Sequence, residues 1–290
     1  MKLQFVKHHG LGNDFLIAFF DELPEEKKAA GWAQHVCHRK HGVGADGMIL
    51  ATVEPAVMRL WNSDGSSAEM SGNGLRCLAH AIARRKRVDQ LDITISTAAG
   101  SRRCRVTLAE ADTNNEQPFE AEATVIAEMG EVKVGARGPR TLPGVPDPSS
   151  VVEDMAGVVV QRWGTADVGN PHIVLLVQDP YAVPLTTVGP ALEQLFEEGI
   201  NAHFVVIAEE STMEHSVMTV KTWERGAGMT EACGTGAVAT ASVMRNWNSI
   251  GNRVTVRMPG GNVEVNLHPT TTLTGPSVYA ATVTIDDIQV

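Results

Sequence analysis

The sequence predicts an α+β chain (α/β-type, two-domain) built from two similar halves. Three observations carry this. Strand patterns outnumber helical ones, and turn signals join them as hairpins more than as βαβ units. A Gly-rich turn opening into an apolar helix occurs twice, as Glu69-Met-Ser-Gly-Asn-Gly and Glu231-Ala-Cys-Gly-Thr-Gly. The stretch from Gly135 to Ser149 is rich in Gly and Pro, lacks periodicity, and is the strongest loop or boundary signal in the chain.

In the first half, Leu3 to Lys7 reads as a strand and Gly10-Leu-Gly-Asn-Asp as a tight polar loop. Phe15 to Phe20 is a strand too apolar to face water on either side. Pro24 to Val36 reads as a helix with charge on one face. His35, Cys37, His38 and His41 follow in an order that matches no common zinc spacing, so they read as a helix end with solvated histidines and no metal is expected. Met48 to Val53 and Val57 to Trp61 are strands around the Glu54-Pro55 break. A helix after Gly74 places Leu75, Leu78, Ala79 and Ile82 at core spacing, and its basic end, Arg84-Arg-Lys-Arg, suits the negative pole of the dipole. Leu91 to Thr97, Arg103 to Leu108 and Ala121 to Ile126 continue as strands, with an exposed turn at Asp112 to Pro118.

In the second half, Val158 to Trp163 and His172 to Val177 read as strands around the turn Val168-Gly-Asn-Pro. Val188 to Phe196 is a helix, and Asn201 to Ala208 and Ser216 to Trp223 are strands. The helix after Cys233 follows. Arg253 to Met258 and Asn262 to Leu267 flank Pro-Gly-Gly as a hairpin, and Val278 to Ile285 is the last strand.

Composition bounds the function. Hydrophobic residues make up 43% of the 290, enough for a real core. The formal net charge of -10 argues against nucleic acid or an anionic membrane as partner. The four cysteines, Cys37, Cys77, Cys104 and Cys233, form no CxxC, so neither a disulfide scaffold nor a zinc ribbon is expected. Without a signal-peptide core or a run of transmembrane length, a cytoplasmic protein is expected.

The duplicated turn carries the chemistry. Ser71, Gly72 and Gly74 overlay Cys233, Gly234 and Gly236 without a gap, and the same spacing of 162 takes Trp61 to Trp223 and Glu69 to Glu231. Two of the five tryptophans in one ungapped match make chance a poor explanation. Gly12-Asn13 and Gly169-Asn170 pair at a slightly different spacing. Two halves across a cleft would point two helix N-termini at one space and hold a substrate carboxylate in N–H donors. Ser71 and Cys233 would approach from opposite sides, the geometry for taking a proton from one face of a carbon and returning one to the other. Cys233 at a helix N-terminus reads as a candidate low-pKa thiolate, where an isolated cysteine would read as structural.

The chain resembles diaminopimelate epimerases over nearly its whole length. The resemblance rests on His9-Gly-Leu-Gly-Asn-Asp-Phe, Asn62-Ser-Asp-Gly-Ser, Ser71-Gly-Asn-Gly-Leu-Arg-Cys, Gly169-Asn-Pro-His, Asn201-Ala-His-Phe, Trp223-Glu-Arg-Gly-Ala-Gly and Ala232-Cys-Gly-Thr-Gly-Ala. It implies a cofactor-independent isomerase that interconverts LL- and meso-diaminopimelate, for lysine and peptidoglycan synthesis, and a homodimer. It also implies two pseudo-symmetric domains, each a curled, mainly antiparallel sheet around a central helix, with the site in the cleft between them. The final strand would return to the first domain, giving halves at 1–127 with 272–290 and at 128–271. Carried over by motif, Cys233 resembles one catalytic thiol, with Glu224 and His172 as the polar residues that tune the thiols. Asn13, Asn62, Asn170, Asn201 and Arg225 resemble substrate contacts, as do the backbone pairs Gly72-Asn73 and Gly234-Thr235. Taken singly, each asparagine would read as a turn residue, Glu224-Arg225 as a surface ion pair and His172 as a strand histidine.

Two positions depart from the pattern. Gly47 stands where some members carry a glutamine contact. Ser71 stands at the other catalytic cysteine position, and Cys77 does not replace it, because the pattern commonly has a cysteine there as well. A serine hydroxyl cannot be ionised by a helix terminus worth at most about 2 kcal/mol, so Ser71 is not an unaided base. Three readings stay open: an introduced substitution that blocks turnover or a disulfide; a slower epimerase in which Ser71 works with another group or a water; and one-base exchange or elimination on a related amino acid. The rival classes are a catalytically silent diaminopimelate-like binding protein and a Cys233–His172 hydrolase, the latter disfavoured because acyl transfer needs one helix mouth only.

Overall fold

In the computed structural model, which describes residues 2–109, 122–135 and 144–286, the chain divides into two units: residues 1–128 with 274–290, and residues 129–273. The turn expected at 112–118 and the middle of the 135–149 stretch lie outside the described residues. Unit 1 holds β1 (Leu3–Gly10), β2 (Asn13–Phe19), α1 (Glu26–Val36), β3 (Gly47–Val53), β4 (Ala56–Asn62), β5 (Ser67–Ala68), α2 (Gly72–Lys86), β6 (Gln90–Thr97), β7 (Gly100–Leu108) and β8 (Glu122–Glu128). Unit 2 holds β9 (Lys133–Val134), α3 (Pro148–Ala156), β10 (Arg162–Asp167), β11 (Pro171–Leu176), α4 (Leu185–Gln194), β12 (Asn201–Ile207), β13 (Ser216–Glu224), β14 (Gly228–Thr230), α5 (Gly234–Asn246), β15 (Arg253–Met258) and β16 (Gly261–Asn266). From Thr274 onward, β17 (Thr272–Ile285) belongs to unit 1.

Within unit 1 the ladder runs β1–β2–β3–β4–β6–β7–β8–β17 and returns from β17 to β1. The ring closes around α2, which packs against β1, β2, β3, β4, β6, β7 and β8. A helix surrounded on all sides has no solvent face, and α2 is buried from Gly72 to Ala83, with the polar Asn73, Arg76 and His80 among its apolar residues. Leu75, Leu78 and Ile82 are fully buried there, each contributing roughly 1.5–3 kcal/mol. On its other face the sheet packs α1 through Trp32, Ala33 and Val36 against Leu16, Met48, Leu50 and Trp61.

Unit 2 repeats this plan. Its ladder runs β9–β10–β11–β12–β13–β15–β16, and α5, buried from Gly234 to Met244, packs on β9, β10, β11, β12, β15 and β16. From β1 to β7 and from β10 to β16 the pairings alternate in the same way: antiparallel, parallel, antiparallel, parallel, antiparallel. Hairpins predominate, as expected. Among the described residues, the parallel pairs β2–β3, β4–β6, β11–β12 and β13–β15 are each bridged by a helix (α1, α2, α4 or α5), so βαβ units are commoner than the turn signals suggest. Trp61 and Trp223 occupy matching places on β4 and β13. Trp223 needs space: a Cβ on Gly189 of α4 would lie 2.3 Å from its ring, and the indole Nε1 donates to Glu193 Oε2 at 2.9 Å.

Several elements differ from expectation: the last strand starts at Thr272 and not Val278, α4 spans Leu185–Gln194 where 188–196 is expected, and two segments near the start of unit 2 change in kind. The strand expected at Val158 to Trp163 starts at Arg162, because Val158 and Val160 turn into the core that α3 and α4 share with β11 and β12. The Gly/Pro-rich stretch does not end as loop. Asp147 caps α3, accepting from Ser149 N at 2.9 Å, with Pro148 at the first helical position and Gly157 in the left-handed conformation at the end.

Candidate active site

Each central helix begins on the residue that the duplication singles out. Ser71 caps α2 with φ −137° and ψ 121°, and its Oγ accepts from Gly74 N at 3.0 Å. Cys233 caps α5 with φ −121° and ψ 110°, and its Sγ accepts from Gly236 N at 3.3 Å. The extended cap conformation aims both side chains at the helix's own third amide. Gly72 and Asn73, like Gly234 and Thr235, hold the first helical amides, whose N–H groups have no partner inside the helix and favour an anion. The same cross-link steadies both mouths. Asn73 Nδ2 donates to Asn13 Oδ1 at 3.0 Å in unit 1, and Asn170 Nδ2 donates to Thr235 Oγ1 at 3.5 Å in unit 2.

The Cys233 mouth ends a buried chain of hydrogen bonds. His172 Nε2 lies 2.8 Å from Asn170 Oδ1, and its Nδ1 lies 2.8 Å from His203 Nε2, whose Nδ1 lies 3.0 Å from Thr222 Oγ1. Asn170 Oδ1 can only accept, so His172 carries its proton on Nε2 and receives the His203 N–H on Nδ1. Thr222 then donates to His203. Burial, reinforced by His203 and Arg225, holds His172 well below the usual imidazole range; burial takes His203 down to about 3. Both rings are neutral spacers, and His172 reaches the thiol only through Asn170 and Thr235, whose Oγ1 is 3.6 Å from Cys233 Sγ. Gly236 exists for this packing, since a Cβ there would lie 2.1 Å from His203 Cε1.

Cys233 is not a resting thiolate. Burial, then the negative charge of Glu224, raise the thiol well above its ordinary value, against the opposing hydrogen bonds from Thr235 and Gly236 N. This corrects the low-pKa expectation: a helix terminus offers donors, but the thiol is 2% exposed and a carboxylate faces it. Glu224, at the end of β13, also accepts from Thr230 Oγ1 at 2.5 Å. Asn201 accepts from Arg225 N at 3.0 Å and donates to Pro171 O at 2.8 Å, fixing the chain on either side of Glu224 and His172. Arg225 donates to Glu198 O at 2.8 Å.

The Ser71 mouth has different neighbours. Asn62 holds on β4 the place that Glu224 holds on β13, paired with Gly47 as Glu224 lies one step beyond the Trp223–Ala202 pair, and its Nδ2 donates to Ser66 Oγ at 3.0 Å. No carboxylate therefore occupies the Glu224 place in unit 1. Gly47 is enforced: a Cβ there would lie 2.9 Å from Trp61 O and 3.2 Å from the Phe15 ring. Arg76, fully buried, donates to Asn73 Oδ1 at 2.8 Å and to Pro276 O at 3.4 Å, and burial lowers it to about 10. Asn13 Nδ2 donates to Asp46 at 2.9 Å. Burial tends to raise Asp14, but hydrogen bonds from Arg39 and Lys7 outweigh it and leave the carboxyl lowered. Sequence reasoning misses Arg76, Asp46 and His203. Arg76 and His203 stand within the motifs quoted above, and His203 shares one strand face with Asn201, which is a usable signal.

The other thiols are inert. Burial pushes Cys37, Cys77 and Cys104 up to about 12 each. Among the described residues no group of three His, Cys, Asp or Glu could hold a metal ion. His38 Nδ1 instead accepts from the amides of Lys40 and His41. Among the described residues, no helix is long and apolar enough to cross a membrane.

The diaminopimelate epimerase family model matches residues 5–134 and 164–280. Proteins named diaminopimelate epimerase are similar along the chain. The Bacillus subtilis protein is 37% identical over 273 residues, 91% of this chain and 90% of that one, and the Synechococcus elongatus protein 37% over 289, 96% of each. Among solved structures, a predicted epimerase of Pseudomonas aeruginosa superposes with a TM-score of 0.72 at 12% identity, covering 98% of this chain and 99% of that one. A hydroxyproline epimerase of Agrobacterium vitis gives 0.62 at 13%, covering 99% and 94%. At such identities these two speak to the α+β fold alone.

Proposed function

Because the chain belongs to the diaminopimelate epimerase family, we propose that it takes and returns the α-proton of diaminopimelate, linking the LL and meso forms. The observation that carries the reading is Cys233 capping α5 with Glu224 against its thiol. Glu224 takes the thiol proton when substrate arrives. The thiolate, held by Gly236 N–H and the Thr235 hydroxyl, removes the α-proton. Charge that develops toward the substrate carboxylate is met by the helix-end amides of Gly234 and Thr235 and of Gly72 and Asn73. Asn13, Asn62, Asn170, Asn201 and Arg225 position the ligand, and His172 positions Asn170. The chemistry asks for no cofactor.

Inversion needs a second proton donor on the opposite face, and the duplicated position offers the Ser71 hydroxyl. Serine donates poorly and returns to its neutral form without help from a carboxylate, since Asn62 stands where Glu224 does in the other unit. Exchange through Cys233 therefore outruns inversion. The reading brings with it a cytoplasmic homodimer in lysine and peptidoglycan synthesis. Four free, buried cysteines support a reducing compartment.

The test is proton exchange in D2O with LL-, meso- and DD-diaminopimelate, followed by mass spectrometry and chiral separation. The expected result is deuterium uptake faster than inversion in the Ser71 protein, and matched rates in Ser71→Cys. Uptake that survives Cys233→Ala overturns the assignment. Tight binding with no uptake in either form would instead establish a silent binding protein.

A further inference from the structure

A cavity of about 850 Å³ opens in unit 1 at the C-terminal end of α2, the end away from Ser71. Gln4, Val6 and His8, on one face of β1, line it. Arg84 and Arg85 enter from α2. The Arg84 guanidinium lies 3.9 Å from the Tyr279 ring and that of Arg85 5.1 Å from the Phe19 ring. Tyr279 stands on β17 and Phe19 on β2, the strands that flank β1, so the two cations sit on either side of the β1 floor.

These groups are under-satisfied. Among the described residues neither guanidinium has a hydrogen bond or a carboxylate partner. His8 is fully buried, and both of its ring nitrogens lack a partner. Its ring meets that of His80 edge-on at 4.7 Å, and His80 Nε2 is unpartnered too. Buried ring nitrogens are rarely left unpaired. Of the carboxylates at the cavity, Glu54 is bonded to Lys86 Nζ at 2.7 Å, which leaves Asp21.

We propose that this cavity binds a small oxyanion, a carboxylate or a phosphate, gripped by the guanidinium groups of Arg84 and Arg85. A guanidinium fork matches the planar carboxylate and the phosphate face. Arg84 lies thirteen residues beyond Ser71, about 20 Å along the helix, so this site is separate from the helix mouth and does not rest on the epimerase reading.

The experiment is a titration of the full-length protein, uniformly labelled with 15N, with inorganic phosphate and with benzoate at constant ionic strength. The expected result is a saturable shift of the Arg84 and Arg85 Nε signals, with a dissociation constant on the order of 1 mM or tighter for at least one probe. R84Q/R85Q should weaken it roughly 10-fold or more, with the amides of Gly72, Gly74, Gly234 and Gly236 unmoved. R85Q alone, at an exposed side chain, gives the same reading at smaller amplitude if the double variant fails to fold. Absence of a saturable shift with both probes overturns the proposal. So does an affinity unchanged in the arginine variants, which would place the anion at a helix mouth.

Discussion

His203 Nε2 donates to His172 Nδ1 at 2.8 Å with both rings fully buried, so the Cys233 mouth is braced by two imidazoles that must stay neutral. Unfolded, each would titrate near 6.5; folded, His203 is lowered to about 3 and His172 is held well below its ordinary value. A depressed histidine pKa means that the unfolded chain binds the proton first. The stability is therefore whole above pH 6.5 and is lost as pH falls from 6.5 toward 3. The expected loss is on the order of a few kcal/mol, since each tenfold change in proton affinity is worth about 1.4 kcal/mol. Urea midpoints measured across that range should fall with acid, and His203→Asn, though less stable at neutral pH, should show a shallower slope. Equal slopes would remove His203 as the titrating group.

Cys233 gives a prediction that runs against intuition about catalytic partners. Glu224 raises the thiol, so removing its charge lowers it. Glu224→Gln should speed alkylation of Cys233 by iodoacetamide at pH 8 while slowing exchange of the substrate α-proton, because the thiol loses its proton acceptor. Peptide-resolved mass spectrometry reads the first and deuterium uptake the second. Slower alkylation in Glu224→Gln would mean that the carboxylate does not face the thiol.

Gly236 tests whether the histidine brace and the helix mouth are one assembly. A Cβ at this position would lie 2.1 Å from His203 Cε1 and 2.7 Å from Nδ1, too close for adjustment by a few tenths of an ångström. Gly236→Ala should cost about 1–3 kcal/mol or more, as overpacking of a filled core does. In Gly236→Ala/His203→Ala, where the ring is gone, the penalty for the alanine at 236 should largely vanish. A double-mutant cycle on urea midpoints measures this coupling.

What the sequence discloses, and what it hides, divides along physical lines. Ser71, Cys233 and the two tryptophans disclose the repeat because covalent spacing survives in one dimension, and the two ladders do alternate alike. Helix α3 is hidden because Asp147 and Pro148, good start signals, sit at the end of a Gly/Pro-rich run that reads as loop. Val158 and Val160 look like strand because apolar alternation does not say whether a residue faces a ladder or a helix pair. The sign of the Cys233 shift is beyond reach: the Gly-Thr-Gly turn announces donors, whereas burial and the approach of Glu224 from another strand are tertiary facts. His203 is legible in part, two residues from Asn201, but its hydrogen-bonded partner across the ladder is not.

The asymmetry of the two mouths decides the last prediction. Ser71 has no carboxylate at the place Glu224 takes in unit 2, and the buried Arg76 cation is bonded to the Asn73 side chain in the first turn of the same helix. Both differences favour an anion at position 71, while burial opposes one. In Ser71→Cys the new thiol should therefore ionise at lower pH than Cys233 and be alkylated first at neutral pH. Arg76→Met should reverse part of that advantage by removing the charge, at a stability cost of about 1–3 kcal/mol for the hydrogen bonds to Asn73 Oδ1 and Pro276 O that are lost. Alkylation rates of the two cysteines against pH, resolved by peptide, give both thiol midpoints in one experiment. If Cys233 reacts first in Ser71→Cys, the charges around the two helix mouths do not set the order of ionisation.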